Sequence, residues 1–162
     1  MADRNDLVGR LLGVWDRVPD DDAAALASFR ELYTDPVRIN GADVPVEQLV
    51  RRARMMSAAI VGRTTELLSQ AALGDRTAVA FRMRGRHVGP IDTPLGPIAG
   101  DGRTVSVQVI DLLTVRDARI SEIWMVADML GMLASTGALW PASAAGRDGS
   151  DDPGPSPSSS GA

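Results

Sequence analysis

Apolar side chains recur at helical spacing in three stretches near the start of the chain, residues 6–18, 23–33 and 45–61. This spacing predicts three helices, the second capped by Asp22 and the third with Pro45 in its first turn. Between the second and third stretches, "DPVRING" predicts a short extended segment closed by a turn at Asn40 and Gly41.

The period then changes to the alternation of β-strands. Four such segments cover residues 64–74, 77–87, 104–115 and 118–128. A Gly/Pro-rich loop from Val88 to Arg103 separates the middle pair, and a hairpin over Asp117 and Ala118 joins the last pair. Helices followed by a meander of strands predict an α+β fold, with the helices packed on one face of a curved antiparallel sheet.

Composition narrows the class of protein. The chain has 162 residues, a net charge of −4, no cysteine and one histidine. It therefore has no disulfide, no thiolate site and no multi-histidine metal site, and no basic stripe for nucleic acid. The N-terminus carries charges at once, which predicts neither a signal peptide nor a membrane anchor and favours a cytoplasmic protein. We expect one domain over residues 1–140 and a disordered Pro/Ser/Gly-rich tail over residues 141–162.

The first candidate for chemistry is Asp128, which stands between the last predicted strand and a Leu/Met-rich helix. One interpretation is an N-cap, because Asp is among the best residues at that position. The other is an acid/base group, since Trp124 shares its strand parity and a carboxyl beside an indole in a dry pocket suits proton transfer. One residue can do both.

A second acid, Asp111, continues the parity of three valines on the third strand, and an acid on an apolar face needs a partner. Three arginines alternate along the strand before it: Arg82, Arg84 and Arg86. They form a solvated or salt-bridged face, or one of them pairs with Asp111 or Asp128.

The single histidine, His87, lies at the end of the second strand. One interpretation is a surface or loop-anchoring group, and the other is a group that titrates near neutral pH. Methionines are frequent, and they fill the core or line a cavity for a flat polycyclic ligand. The cluster is Met55, Met56, Met83, Met125, Met129 and Met132. No nucleotide-binding or nucleophile-elbow motif is present, so no cofactor is predicted.

The C-terminal two-thirds of the predicted domain resembles the SnoaL-like polyketide cyclases, or ester cyclases, of the nuclear transport factor 2-like superfamily. The resemblance rests on a strand ending in Gly-x-His-x-Gly, a short hairpin, Trp-x-x-x-Asp in the last strand and a terminal Leu-Gly-x-Leu helix. The matching residues are Gly85, His87, Gly89, Arg116, Asp117, Ala118, Trp124, Asp128, Leu130, Gly131, Leu133 and Gly137. Ala118 stands where the family usually has glycine.

The resemblance implies a cone-shaped α+β barrel of a curved antiparallel sheet packed on N-terminal helices, with an apolar pocket inside. It also implies a cofactor-independent enzyme of antibiotic biosynthesis, an isomerase that closes a ring in a polyketide-derived aromatic ester by intramolecular aldol chemistry. A homo-oligomer, most simply a homodimer, is expected separately if the sheet exposes a face rich in apolar groups. In such enzymes the Asp of the last strand is the acid/base, which matches Asp128, and the strand-end histidine matches His87. Substrate contacts are expected from Asn40, Trp124, Phe81, Met83, Arg84 and Asp111.

Two rival functions stay open because the fold hosts several chemistries. An epoxide-opening hydrolase or cyclase needs two carboxylates, often bridged by arginine, and Asp111, Arg84 and Asp128 supply that set. It requires both acids within reach of one water in one cavity. A non-catalytic small-molecule-binding protein, in contrast, predicts a sealed or acid-free cavity.

Overall fold

The computed structural model of the protein describes residues 4–93 and 96–136. Four helices and eight strands lie in these ranges. In chain order they are α1 Arg4–Asp16, α2 Asp22–Leu32, β1 Tyr33–Ile39, β2 Ala42–Val44, α3 Val46–Ala59, β3 Ile60–Leu73, β4 Arg76–His87, β5 Ile91–Thr93, β6 Gly96–Ile98, β7 Thr104–Arg116, β8 Arg119–Ala127 and α4 Met129–Ser135.

The predicted helices and long strands are confirmed, with small differences at their ends. Asp21, not Asp22, caps α2, because its Oδ1 accepts the backbone N–H of Ala24 at 2.8 Å. The third helix ends at Ala59, and the β-branched pair that follows opens β3. The loop predicted after His87 contains the short hairpin of β5 and β6.

Six strands form one sheet in the order β2-β1-β8-β7-β4-β3. The α+β architecture is confirmed, but the sheet is mixed rather than antiparallel, since β1 and β8 run parallel. These two strands are remote in sequence, so no tight turn forces them to be antiparallel. The sheet is also an open cone rather than a closed barrel, because β2 and β3 have no further strand partner among the described residues.

The pairing register gives this sheet two different faces. Asp111 on β7 lies between Val79 on β4 and Met125 on β8, and partners across a sheet point to the same side. This inner face meets the helices. The outer face carries the alternate residues, which are Arg82, Arg84, Arg86, Ile110, Leu112, Trp124 and Val126.

Two hydrophobic clusters fill the space between the inner face and the helices. The larger joins α1, α2 and α3 to β1 and to parts of β4, β7 and β8, around the fully buried Phe29, Leu113 and Ile120. The smaller joins α4 to the first half of β7 through Val105, Met132 and Leu133. The half-buried Phe81 packs against both clusters, so the concave face is divided between them.

The expected domain end and the tail predicted over residues 141–162 lie outside the described residues. None of the described helices is long and apolar enough to span a membrane.

Candidate functional site

Asp128 lies at the junction of β8 and α4. Its backbone N–H donates to the carbonyl of Gln108 at 2.8 Å, which continues the sheet pairing by one residue. Its Oδ1 accepts the N–H of Gly131 at 2.8 Å, so the predicted N-cap is confirmed. Oδ2 has no hydrogen bond to any described residue and the side chain is exposed. One carboxylate oxygen therefore holds the helix and the other is available.

An open groove of about 520 Å³ runs beside Asp128. Its walls are largely apolar, and among the described residues that line it Asp128 has the one charged side chain. They include Leu68, Ala80, Gln108, Ile110, Val126, Met129 and Leu130. The groove thus places a carboxylate at the edge of a surface suited to a flat apolar molecule.

Trp124 lies on the outer face, 50% exposed, opposite Leu112 on β7. It shares the strand parity of Asp128 as predicted, but it does not line the groove that Asp128 borders. The expected dry pocket of indole and carboxyl is therefore wrong, since this end of β8 faces solvent on its outer side.

Asp111 has the opposite environment. It is 5% exposed on the inner face, and its Oδ1 has no hydrogen-bond partner among the described residues. Burial raises the pKa of this carboxyl from its ordinary value of 3.8 to about 6. A carboxyl with a pKa near 6 exchanges protons close to neutral pH.

Arg84 does not reach Asp111. It pairs with Ser106 on β7 and is exposed, whereas Asp111 pairs with Val79 on the inner face. The predicted pairing of these two residues is wrong, because a strand's alternate residues point to opposite faces. The neighbouring Arg82 binds Glu66 on β3 at 3.4 Å, which bears out the salt-bridged interpretation of this arginine row.

The two acids are also separated. Asp128 bonds to Gln108, which precedes Asp111 by about 10 Å along β7 at about 3.3 Å per residue. One acid borders the outer groove and the other points inward, so a single water cannot contact both. The arrangement required by the epoxide-opening hypothesis is absent from the described residues.

The sequence analysis did not single out a buried hydrogen-bonded pair, Trp15 and Tyr33. Trp15 on α1 donates its Nε1–H to the hydroxyl of Tyr33 at 2.7 Å. Burial, and in smaller part the charge of Asp111, raise the pKa of Tyr33. Both residues were counted only for their apolar bodies on helical stripes, although a buried Tyr or Trp normally brings a polar tip that needs a partner.

His87 is fully buried, and neither of its ring nitrogens has a hydrogen-bond partner among the described residues. Along β4 it lies roughly 26 Å from Val79, the neighbour of Asp111, at about 3.3 Å per residue. It is also about 19 Å from Asp128, counting along β4 to Arg82 and across two strand spacings. The structure therefore does not bring the two predicted catalytic residues together.

The two glycines that flank His87 lie where close packing leaves little room for a side chain. A Cβ at Gly85 would lie 2.4 Å from Ile60 Cγ2, and a Cβ at Gly89 would lie 3.1 Å from Ala59 Cα. The N–H of Gly89 donates to the carbonyl of Ala59 at 3.1 Å. In this chain the Gly-x-His-x-Gly segment therefore packs the end of β4 against the end of α3.

Asn40 forms two side-chain hydrogen bonds with the backbone of β8, just beyond the point where β1 ends. Its side chain accepts the N–H of Met125 at 2.7 Å and donates to the carbonyl of Met125 at 3.1 Å. The side-chain amide thus replaces a strand partner where β1 has ended. Asn40 positions the backbone beside Asp111 and leaves the Met125 side chain, 42% exposed, at the rim.

The remaining predicted contacts divide between core and surface. Phe81 and Met83 lie on the inner face and pack in the smaller cluster with Met56, Met129 and Met132. Met55 is 58% exposed, so it belongs neither to the core nor to a cavity wall. No group of three or more metal-ligating side chains occurs among the described residues.

Comparison with known proteins supplies the context for this geometry. The family model described as SnoaL-like polyketide cyclase matches residues 6–136. No curated protein matches the chain. Among solved structures, TsrD from Streptomyces laurentii is 22% identical with a TM-score of 0.69, covering 84% of this chain and 96% of its own.

Two further structures have the same fold. AclR from Streptomyces galilaeus, a proposed hydroxylase, is 22% identical with a TM-score of 0.68, covering 86% of this chain and 99% of its own. IdmH from Streptomyces antibioticus, a proposed polyketide cyclase, is 22% identical with a TM-score of 0.65, covering 83% of this chain and 99% of its own. Similarities at this level of identity establish the fold but not the reaction, which has to be inferred from the residues of the site.

Proposed function

The chain belongs to the SnoaL-like polyketide cyclase family, and from this premise we propose that it closes a ring in a polyketide-derived aromatic ester by acid/base catalysis without a cofactor. Asp128 removes a proton from the carbon α to a carbonyl. The enolate carbon then attacks an internal ketone, and Asp128 returns the proton to the new alkoxide. The proton taken from carbon ends on oxygen, so no redox partner is required.

The observation that carries this proposal is the divided carboxylate of Asp128. Oδ1 is held by the N–H of Gly131 at 2.8 Å, which fixes the orientation of the group, while Oδ2 has no hydrogen bond to any described residue and the side chain lines the apolar groove. A fixed base beside an apolar wall positions the carbon acid of a bound aromatic ester against the carboxylate. His87 has no part in this step because it is buried about 19 Å away.

The test is conversion of a tricyclic anthraquinone methyl ester, followed by absorbance and chromatography. Asp128→Asn should lower kcat by about 100-fold or more, because it removes the base. It should leave the melting temperature near that of the wild type, because Asn is as good a cap. Asp117→Asn, an exposed acid in the β7–β8 hairpin, is the matched control and should keep full activity.

A wild-type rate in Asp128→Asn would remove Asp128 from the mechanism. Tight ester binding without conversion by the wild type would instead favour the non-catalytic binding protein.

The outer face supports a proposal about assembly. Ile110, Trp124 and Val126 are 60%, 50% and 72% exposed on neighbouring strands, so they form one apolar patch, of which Ile110 and Val126 also line the groove. Packing of this patch against a second copy would make a homodimer. In sedimentation velocity, Val126→Glu should give monomers, whereas Val88→Glu, a 40% exposed apolar residue outside the patch, should not. A monomeric wild type would contradict the homodimer.

A further inference from the structure

The outer face of the sheet has a second groove, of about 470 Å³, where β3 begins and β4 ends. Two arginines of β4, Arg84 and Arg86, line it together with Thr64 and Thr104. We propose that this groove binds a phosphate group, whose oxygens accept hydrogen bonds from the two guanidinium groups and the two hydroxyls. The site goes beyond the proposed function, because the ring closure at Asp128 uses none of these residues.

The two arginines of the groove are unpaired cations. Neither Arg84 nor Arg86 forms an ion pair or a hydrogen bond with any described residue. The preceding arginine on the same face, Arg82, differs because it binds Glu66 on β3 at 3.4 Å. No acid is among the described residues that line the groove. Two guanidinium groups repel each other when their backbones are about 7 Å apart along one strand, so an anion between them lowers the electrostatic energy of this face.

The register of the sheet puts all four side chains on one face. Arg84 pairs with Thr64 on β3, Arg86 pairs with Thr104 on β7, and paired residues point to the same side. Arg84 and Arg86 are two positions apart on β4, so they share that side as well. Neither threonine hydroxyl has a hydrogen-bond partner among the described residues, so both are free to donate to a ligand.

A β-bulge in β3 brings Thr64 to this face. Between the partners of Arg86 and Arg84, β3 has two residues, Gly62 and Arg63, where β4 has one. Gly62 has a φ of 62°, which glycine adopts without strain. Arg63 points to the inner side and forms hydrogen bonds with α1 and α3. Strict alternation without the extra residue would point Arg63 outward and Thr64 inward, so the bulge supplies the hydroxyl to the groove.

The set of donors favours phosphate over a carboxylate. Each guanidinium offers parallel N–H donors to a pair of oxygens, and each threonine hydroxyl donates to one more. One arginine saturates the two oxygens of a carboxylate, whereas the additional oxygens of a phosphate reach donors on both sides of the groove. Both arginines are exposed, so the affinity for phosphate should fall as the salt concentration rises.

Titration of the isotope-labelled protein with inorganic phosphate, followed by proton–nitrogen correlation spectra at constant ionic strength, tests the site. The backbone N–H signals of Gly62 and Gly85 report on it locally, because both glycines line the groove. We expect saturable shifts of these signals, and binding of acetate at least about 5-fold weaker. Arg84→Gln and Arg86→Gln should each raise the Kd for phosphate by about 5- to 10-fold, since each removes charge-assisted hydrogen bonds.

Two variants separate the site from general attraction by charge. Arg119→Gln is the matched control, because it removes an exposed arginine at the opposite end of the sheet and should leave the Kd for phosphate unchanged. Thr64→Val should raise that Kd by about 2- to 3-fold, because a hydroxyl donor is lost without a change in charge. Melting temperatures equal to that of the wild type would exclude unfolding as the cause.

Phenyl phosphate identifies the source of the phosphate group. Tighter binding than that of inorganic phosphate assigns the site to a phosphate ester, and equal or weaker binding assigns it to free phosphate. Signals of Gly62 and Gly85 that do not move in phosphate overturn the proposal. So does a loss of affinity in Arg119→Gln equal to that in Arg84→Gln, because net charge alone would then explain binding. No turnover is measured, so the result does not depend on the reaction proposed for Asp128.

Discussion

Asp111 lies on β7, and Asp128 directly follows β8, the neighbouring strand. The two acids are about 10 Å apart along the sheet, and their environments are opposite. Asp111 is buried on the inner face, and no described residue forms a hydrogen bond with its Oδ1. Asp128 is exposed at the end of β8 and its Oδ1 holds the N–H of Gly131. The same side chain is a buried acid at one position and a helix cap at the other.

The difference separates two requirements of an acid/base group. Burial at Asp111 supplies a shifted proton affinity, with the pKa raised to about 6, but it gives no fixed partner for the carboxyl. The cap at Asp128 fixes the orientation of a carboxylate that lines an apolar surface. Each acid has what the other lacks, so experiments that change one at a time can assign proton binding to the first and positioning to the second.

The largest effect on stability should come from Asp111 through pH. Its pKa is 3.8 when unfolded and about 6 when folded, so the folded state binds more protons between these values and the free energy of unfolding falls as the pH rises. The group therefore costs up to about 3 kcal/mol above pH 6 and nothing below pH 4. In urea unfolding, the stability of Asp111→Asn relative to wild type should rise by about that amount from pH 4 to pH 7.

Asp128→Asn sharpens this prediction as the matched variant. It removes an exposed carboxyl of the same sheet, so its stability relative to wild type should change far less between the two pH values. Equal pH profiles for the two variants would mean that Asp111 is not desolvated, and the contrast between the acids would fail.

A smaller effect on stability should distinguish the role of Asp128 as a helix cap from its proposed role as a base. Asp128→Ala loses the bond to the N–H of Gly131 and should destabilise the protein by about 1 kcal/mol, whereas Asp128→Asn keeps it. Urea denaturation of the two variants measures the difference. If Ala and Asn are equally stable while both lose activity, the hydrogen bond at 2.8 Å contributes nothing to α4 and the positioning argument is wrong.

The fold was largely accessible from the hydrophobic pattern, because local periodicity records which side of an element is buried. Residues 23–33, 45–61 and 118–128 were each assigned the right type of element. The pattern could not show that β1 runs parallel to β8, since that pairing joins residues about 80 positions apart and has no local signal. The hairpin of β5 and β6 was missed for the opposite reason: three-residue strands are too short to show a period.

The site was less accessible, because parity gives alternation but not which side faces inward. Trp124 shares the parity of Asp128, but the register places it on the outer face, opposite Leu112, where it is 50% exposed. The pattern identifies Asp111 as an acid on an apolar face, but its neighbours Val79 and Met125 come from other strands. Contacts made across strands depend on register, which one sequence does not record.

The smallest predicted effect concerns the hairpin that joins the strands of the two acids. Asp117 and Ala118 have φ values of 49° and 60°, in the left-handed region that favours glycine. Ala118→Gly should remove that strain, and after the added entropy of the unfolded glycine it should stabilise the protein by about 0.5–1 kcal/mol. The change should appear as a higher urea midpoint with an unchanged slope.

Ala99→Gly is the control, because Ala99 is exposed outside the helices and strands and is not among the residues with positive φ. There the same substitution adds unfolded-state entropy without relieving strain, so stability should stay level or fall. If both variants are destabilised alike, Ala118 is not strained and the hairpin adds nothing to the register of β7 and β8. If Ala118→Gly alone gains stability, the gain should be the same at pH 4 and pH 7, because Asp111 lies outside that turn and is unchanged in both proteins. This result would separate the backbone contribution from the pH-dependent contribution of Asp111.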